Sequence, residues 1–169
     1  MRVEIWFDFD LNSKKAIQNV LDALSTFSHQ DQVSLAFRSL PQKPTHHIWH
    51  EIVQYCKRQG YTTPLVIDLL DLFLNQSSLK EALKVIHEKY QIDLKTLEEV
   101  HEKGTFKKVI LNHMEHASLK RIEVIPTIQM THGVCIEGIS DVKAIKDGLI
   151  KMYEIESNTE YCEGDDCVR

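Results

Sequence analysis

Two segments with strand periodicity flank one with helical periodicity within the first 37 residues, and this arrangement constrains the fold more than any other feature. Apolar side chains alternate over residues 3–9 and again over residues 32–37. Between these strands apolar residues recur at helical spacing, and either Asn12 or Ser13 is placed to cap the helix. Such a stretch predicts a βαβ unit with parallel strands and a right-handed crossover. The chain is therefore predicted to have an α/β fold.

The middle of the chain carries helical patterns only. A loop follows the second strand, and from there to Gly104 the apolar spacing predicts four helices. They are predicted at residues 46–59, 62–74, 79–90 and, in a short form, 93–104. No linker-like composition flanks this block. It is predicted to be a helical insertion packed on the sheet.

The last third returns to mixed patterns. A regular helical stripe over residues 105–119 is followed by a strand at 124–130, which the chain enters through Pro126. A tight turn then leads into a short strand at 134–136, which predicts an antiparallel hairpin. Ser140 or Asp141 is placed to cap a final helix, and the acidic tail beyond Ile155 is predicted to be mobile.

Composition excludes several classes of function. A chain of 169 residues, 43% apolar and 27% charged, can form one domain with a hydrophobic core. Its net charge of −5 argues against nucleic acid or an anionic membrane as a partner. The longest nearly apolar stretch, residues 64–74, is too short to span a bilayer, and no secretory signal is recognised. A cytoplasmic protein is predicted, and its four cysteines are not expected to form a structural disulfide framework.

Four segments of the chain resemble one family. Residues 4–9 (Glu-Ile-Trp-Phe-Asp-Phe) resemble the first strand of DsbA-like proteins of the cytoplasmic FrnE-like branch, and residues 37–44 resemble the second strand with its loop. Residues 124–127 (Val-Ile-Pro-Thr) resemble the family's Val-Pro-Thr motif, and Gly138 matches a glycine after the hairpin. The resemblance implies a thioredoxin-like fold with a helical insertion, a cis Pro126, and dithiol–disulfide oxidoreductase or isomerase activity on a protein or peptide.

The resemblance also implies a division of the chain into domains. Residues 1–44 and 105–155 are predicted to form the thioredoxin-like domain. Residues 45–104 are predicted to form the helical insertion, and residues 156–169 an acidic tail that contains cysteines.

The sequence departs from the family at the usual active site. Active members carry Cys-x-x-Cys at the start of the first helix, where the positive end of the helix stabilises a thiolate. Aligned from the strand, this chain has Leu11 and Lys14 at the two cysteine positions; aligned from the helix, it has Asp10 and Ser13. Neither alignment supplies a thiol, so disulfide exchange at this position is excluded.

A second cysteine pair, Cys162 and Cys167, offers another route to the same chemistry. FrnE-like proteins can carry Cys-x4-Cys near the C-terminus, and Gly164 between these two cysteines allows a turn that brings the sulfurs together. The acidic residues between and beside them are expected to raise the pKa of both thiols and slow their attack. The leading hypothesis assigns the catalytic role to Cys162 and Cys167. The alternative is an incidental or purely regulatory pair.

Two further functions stay open on the sequence. A non-catalytic protein, such as a protease adaptor, could hold a peptide in a groove between Asn12–Ser13 and Ile125–Pro126, because family members bind extended peptide beside the cis-proline. A glutathione-dependent transferase or isomerase could hold the glutathione sulfur at Ser13, as a related branch does. For Ser13 the helix cap is the preferred assignment.

The remaining candidates are interpreted as structural. His46, His47 and His50 lie close together, but the sequence supplies no convergent set of zinc ligands, so they are interpreted as a solvated start of a helix. No metal or other cofactor is predicted. Residues interpreted as packing in the core or at its boundary are His113, Cys56, Cys135, Trp6 and Trp49.

Overall fold

The computed structural model describes residues 1–159 and 161, apart from the side chain of residue 101. The chain forms two compact units. The first, called here the sheet unit, contains residues 1–7 and 15–38 and the chain from residue 124 onwards. The second, called here the helical unit, contains residues 8–14 and 39–123. The domain boundaries drawn from the family resemblance stay a prediction.

Four strands form one mixed sheet in the order β2-β1-β3-β4. The strands are β1 (Arg2–Phe7), β2 (Ser34–Ser39), β3 (Thr127–Met130) and β4 (Cys135–Glu137). Strand β3 runs antiparallel to both β1 and β4, with Ile128 opposite Ile5 on one side and Ile136 on the other. The predicted hairpin is therefore confirmed.

The second strand begins later than its apolar alternation suggests. Residues Gln30–Gln32 form a 3₁₀ turn, and β2 starts at Ser34, whose amide donates to the carbonyl of Met1 at 3.1 Å. The alternating pattern identifies the strand but not its first residue, because that residue is set by pairing with the beginning of β1.

Two helices contribute to the sheet unit. Helix α1 (Leu11–Ser25) continues from the helical unit, and α7 (Val142–Ser157) follows the hairpin. Of the two predicted caps, Ser140 and Asp141, it is Asp141 that caps α7, because its side chain accepts a hydrogen bond from the amide of Ala144 at 2.7 Å. The apolar stripes predicted from the sequence are buried, among them Val3, Ile5, Ile17, Val20, Ile145, Leu149 and Met152.

Five helices form the body of the helical unit: α2 (His47–Arg58), α3 (Thr63–Leu74), α4 (Leu79–Tyr90), α5 (Leu94–Lys103) and α6 (Lys107–Leu119). Their predicted existence is confirmed, with ends that shift by one or two residues. The start of helix α4 is well defined because Ser78 and Glu81 form a reciprocal capping box. Pro64 lies in the first turn of α3, where its missing amide hydrogen costs no helical bond.

The core predictions for the two tryptophans are also confirmed, since Trp6 and Trp49 are both buried. Trp49 and Phe73 pack edge to face, with ring centroids 5.2 Å apart, and Phe9 lies 5.7 Å from Trp49. Among the described residues, no helix has the length and apolar character needed to cross a membrane.

Candidate functional site

A buried carboxylate organises the segment that precedes α1. One oxygen of Asp8 accepts hydrogen bonds from the amide of Phe9 at 2.7 Å and from Nε2 of His50 at 3.1 Å. The other oxygen accepts from the amide of Gln42 at 2.9 Å and from Nδ1 of His46 at 2.8 Å. We call Asp8, His46 and His50 the Asp8 cluster; all three lie in the helical unit.

The electrostatics of the cluster follow from these four hydrogen bonds. Burial alone would raise the pKa of Asp8, but the bonds from His50, Gln42, His46 and Phe9 together outweigh it and lower the pKa to about 2. Asp8 is therefore a carboxylate at neutral pH and can only accept hydrogen bonds. It follows that His46 Nδ1 and His50 Nε2 both carry a proton and donate to it.

The pKa of His50 is governed mainly by its burial. His50 is fully buried, and this desolvation lowers its pKa although the neighbouring Asp8 acts to raise it. The neutral ring is thereby favoured, and it packs edge to face against Phe9 with ring centroids 5.0 Å apart. The His50 ring therefore makes two contacts: a hydrogen bond to the carboxylate of Asp8 and an edge-to-face contact with Phe9 in the core.

The prediction of a solvated helix start is wrong for two of the three histidines. His46 and His50 are buried, and both point at Asp8, which lies 38 and 42 positions earlier in the chain. The sequence does indicate that His46 and His50 share one face of a helix, because they are four positions apart. The sequence offered no means of pairing that face with Asp8. The prediction for His113 is confirmed, since it is buried and its Nδ1 accepts from the amide of Ser39 at 3.1 Å.

The start of α1 also differs from the prediction. Asp10, not Asn12 or Ser13, caps the helix: its side chain accepts from the amide of Ser13 at 2.6 Å and its carbonyl accepts from the amide of Lys14. Asn12 is exposed. Ser13 is completely buried, and its hydroxyl accepts a hydrogen bond from the amide of Asp8 at 3.1 Å. Because the Ser13 side chain has no exposed surface, a glutathione sulfur could reach its hydroxyl only if the surrounding residues moved.

Two cysteines, Cys56 and Cys135, lie among the described residues. Cys56 is fully buried in α2, as predicted, and burial raises its pKa to about 12, which keeps the thiol protonated. The packing role predicted for Cys135 is wrong, because this residue is exposed on β4, a three-residue strand at the edge of the sheet. Cys162 and Cys167 lie outside the described residues, and their catalytic role stays a prediction.

The remaining predicted binding residues belong to the sheet unit. The Ile125–Pro126 peptide bond is cis, the isomer that the resemblance implies. The carbonyl of Pro126 accepts a hydrogen bond from the amide of Gly138 at 2.7 Å, and Val124 is 41% exposed. The peptide groove predicted between Asn12–Ser13 and Ile125–Pro126 stays a prediction.

The Asp8 cluster does not resemble a metal centre. Within the part of the chain that the structure describes, no group of three or more His, Cys, Asp or Glu side chains is arranged to hold a metal ion. The two histidines donate protons to the carboxylate, so the nitrogens that face Asp8 cannot also act as ligands.

Comparison with solved structures decides the fold. A probable DsbA oxidoreductase from Streptomyces coelicolor superposes with a TM-score of 0.75 and 14% identity, over 99% of this chain and 94% of that one. Oxidised BdbD from Bacillus subtilis superposes with a TM-score of 0.75 and 15% identity, over 90% of this chain and 87% of the other. This chain has the DsbA-like thioredoxin fold. A thioredoxin-like oxidoreductase from Silicibacter pomeroyi agrees, with a TM-score of 0.70, 15% identity and coverages of 90% and 86%.

The DsbA-like fold is thus confirmed as α/β with a helical insertion, the class predicted from the sequence. No model of a known protein family matches the sequence, and no curated protein matches it. The chain also lacks Cys-x-x-Cys anywhere in its sequence. The residues from Asp8 to Lys14 at the start of α1 include no thiol.

Proposed function

We propose that this chain is a cytoplasmic, FrnE-like thiol–disulfide oxidoreductase that works through Cys162 and Cys167 on a disulfide in a protein or peptide. One observation carries the proposal: the first turn of α1 is occupied by Asp10 and the buried Ser13, while the sequence keeps one closely spaced cysteine pair elsewhere. Cys56 does not compete, because its thiol is buried and stays protonated at neutral pH.

The reaction needs two thiols and no cofactor. The thiolate of one tail cysteine attacks one sulfur of the substrate disulfide, forming a mixed disulfide and releasing the other substrate sulfur as a thiolate, which takes a proton. The second tail thiolate then attacks the tail sulfur of the mixed disulfide. The substrate leaves as a dithiol, reduced by two electrons, and the tail is left as the Cys162–Cys167 disulfide. An external dithiol such as dithiothreitol restores the reduced tail.

Insulin reduction by dithiothreitol tests this proposal. The wild-type chain should accelerate the reaction, and both Cys162→Ser and Cys167→Ser should abolish turnover, because each removes half of the exchanging pair. Cys135→Ser is the matched control: it removes an exposed thiol outside the tail and should leave the rate unchanged. Circular dichroism confirms that each variant folds. Turnover that survives in both tail variants, or is absent from the wild type, contradicts the proposal.

Binding of an unfolded polypeptide without chemistry is the second candidate, and the exposed Val124 favours it. Among the described residues, none exchanges a backbone hydrogen bond with Ile125, so its peptide groups can pair with an extended chain. Reduced and carboxymethylated insulin B chain has no disulfide and probes binding alone. In calorimetry it should bind the Cys162→Ser, Cys167→Ser double variant, and Val124→Asp should weaken that binding at least tenfold. Equal affinity in both proteins would exclude this surface.

A further inference from the structure

A cavity of about 650 Å³ lies within the helical unit, between the start of α2 and the connection from α5 to α6. The volume is in the range of about 300–1,000 Å³ that is typical of small-molecule sites. Pro44 and Ile48 give the cavity an apolar wall, and charged side chains from α2, α5 and α6 complete it. We call it the Glu51 cavity after its buried carboxylate.

Glu51 lines this cavity and is only 6% exposed. Its Oε2 accepts a hydrogen bond from the amide of Phe106 at 3.3 Å. Among the residues that the structure describes, no second donor and no cation bonds to this carboxylate, and Oε1 keeps accessible surface beside the cavity. A largely buried carboxylate oxygen without a donor is costly, so a ligand that supplies a donor would bind favourably there.

A structural role accounts for only one of the two oxygens. Helix α6 begins after Phe106, and no side chain of its own segment caps it. Glu51 therefore supplies the acceptor at this helix start, where the positive end of the helix favours a negative charge. That role is complete with Oε2 and leaves Oε1 to the cavity.

The charges around the cavity favour a cationic ligand. Glu102 contributes a second carboxylate, and Lys103 and Lys107 contribute ammonium groups. The ammonium of Lys103 is bound at 2.7 Å to Glu99, which does not line the cavity. The two carboxylates therefore outnumber the one remaining ammonium, that of Lys107.

A primary ammonium group suits this site better than a guanidinium or a metal ion. A guanidinium pairs with both oxygens of a carboxylate, but Oε2 of Glu51 is already bonded. A metal ion needs several converging ligands, and the described part of the chain has no such group. An ammonium is compact and can donate to Oε1 alone, while His47, one turn earlier on the same face of α2, can accept from it through a ring nitrogen.

We propose that the Glu51 cavity binds a small organic molecule that carries a primary ammonium group. The ammonium donates a hydrogen bond to Oε1 of Glu51, and the apolar part of the molecule packs against Pro44 and Ile48. The site uses no cysteine, so this binding activity is separate from disulfide exchange.

NMR titration of the ¹⁵N-labelled full chain at pH 7 tests the proposal. The probes are 2-phenylethylamine, a cation at this pH, and 2-phenylethanol, a neutral molecule of nearly the same shape. The amine should bind at least tenfold more tightly, because only the cation makes a charged hydrogen bond with Glu51. The amide of Phe106, which shares the carboxylate, should show one of the largest shifts. Equal affinity for the two probes, or shifts confined to other parts of the chain, overturns the proposal.

Glu51→Gln should lower the affinity for the amine at least tenfold, to that for the alcohol. Glutamine keeps an oxygen for the amide of Phe106 but presents an NH₂ donor in place of Oε1. Glu98→Gln is the matched control, because Glu98 is an exposed residue of α5 outside the cavity, and it should change the affinity less than twofold. A folded Glu51→Gln protein that still prefers the amine overturns the proposal.

Thr45→Trp tests the cavity without changing its carboxylate. Thr45 is exposed where it lines the cavity, so a larger side chain can be added there without repacking the core. This variant should bind the amine at least fivefold more weakly, with a circular dichroism spectrum like that of the wild type. It decides the question if Glu51→Gln does not fold, since unchanged binding of the amine by Thr45→Trp also overturns the proposal.

Discussion

Replacing Asp8 by asparagine should destabilise the protein strongly at neutral pH, although the side chain keeps its shape. Each carboxylate oxygen accepts one backbone amide, from Phe9 on one side and Gln42 on the other. An asparagine side chain has one acceptor oxygen and one NH₂, so either orientation sets the NH₂ against a backbone N–H. Histidines can change tautomer to suit a new partner, whereas a backbone amide cannot.

The magnitude can be worked out in two ways, and both rest on the hydrogen bonds to Asp8. A buried donor left without its acceptor costs about 1–3 kcal/mol, and more where the lost partner was charged. Separately, lowering the pKa of Asp8 from 3.8 to about 2 corresponds to about 2 kcal/mol of stabilisation of the charged form. The expected loss for Asp8→Asn is therefore about 2–4 kcal/mol in the free energy of unfolding at pH 7.

The pH dependence of this loss identifies its cause. A lowered pKa means that the contribution of Asp8 is complete above the unfolded-state value near 4 and disappears as the pH falls through about 2. The difference between wild type and variant should therefore shrink by about 1 kcal/mol between pH 7 and pH 3. Urea unfolding at the two pH values, followed by tryptophan fluorescence in a constant concentration of sucrose, measures this difference.

Asp10→Asn is the matched control, because asparagine caps helices as well as aspartate does and the change should cost only a few tenths of a kcal/mol. A loss below about 1 kcal/mol for Asp8→Asn, or a loss that does not depend on pH, would refute the argument that the carboxylate is held by these donors.

Three further predictions concern single side chains. Ser13→Ala should lower the free energy of unfolding by about 1–3 kcal/mol, because the buried amide of Asp8 loses its acceptor; thermal unfolding at pH 7 measures it. His50→Gln should flatten the dependence of stability on pH between about 7 and 5: the lowered pKa of His50 means that the unfolded chain takes up a proton there which the folded chain refuses, so wild-type stability falls as the pH falls. A slope that is unchanged in urea titrations of this variant contradicts that account. Ser78→Ala should cost about 1 kcal/mol by removing the capping box with Glu81, and an unchanged denaturation midpoint would show that α4 does not depend on its cap.

Local patterns predicted the elements of this chain well because each depends on nearby residues. Helix α4 begins and ends as its apolar spacing and the Ser78 cap require, and the hairpin follows from two short strands around a tight turn. The resemblance of residues 124–127 to a family motif predicts a cis peptide bond before Pro126, and the structure has one. Periodicity, capping and turn chemistry all act within about ten residues, so one sequence contains enough information for them.

The Asp8 cluster could not be predicted in this way, because His46 and His50 lie 38 and 42 positions after Asp8 in the chain. Without tertiary structure, a carboxylate after a strand and two histidines on one helical face are ordinary surface residues. Burial reverses that expectation, since a carboxylate can be enclosed only if hydrogen bonds replace its water. Here four donors do so, and three of them come from the segment that follows β2.

The position of the helix cap is decided by the same cluster. Asp10, Asn12 and Ser13 are all residues that cap helices well, so propensity alone cannot choose among them. The structure chooses because the Asp8 carboxylate is fixed by its partners and the amide of Asp8 is bonded to the hydroxyl of Ser13. Ser13 lies at the third position of the helix with its hydroxyl bonded to the amide of Asp8, and the residue three positions earlier, Asp10, caps the helix by accepting from the amide of Ser13. Asp8 therefore contacts both sides of this thiol-free helix start, through its carboxylate to His46 and His50 and through its amide to Ser13 in the first turn of α1.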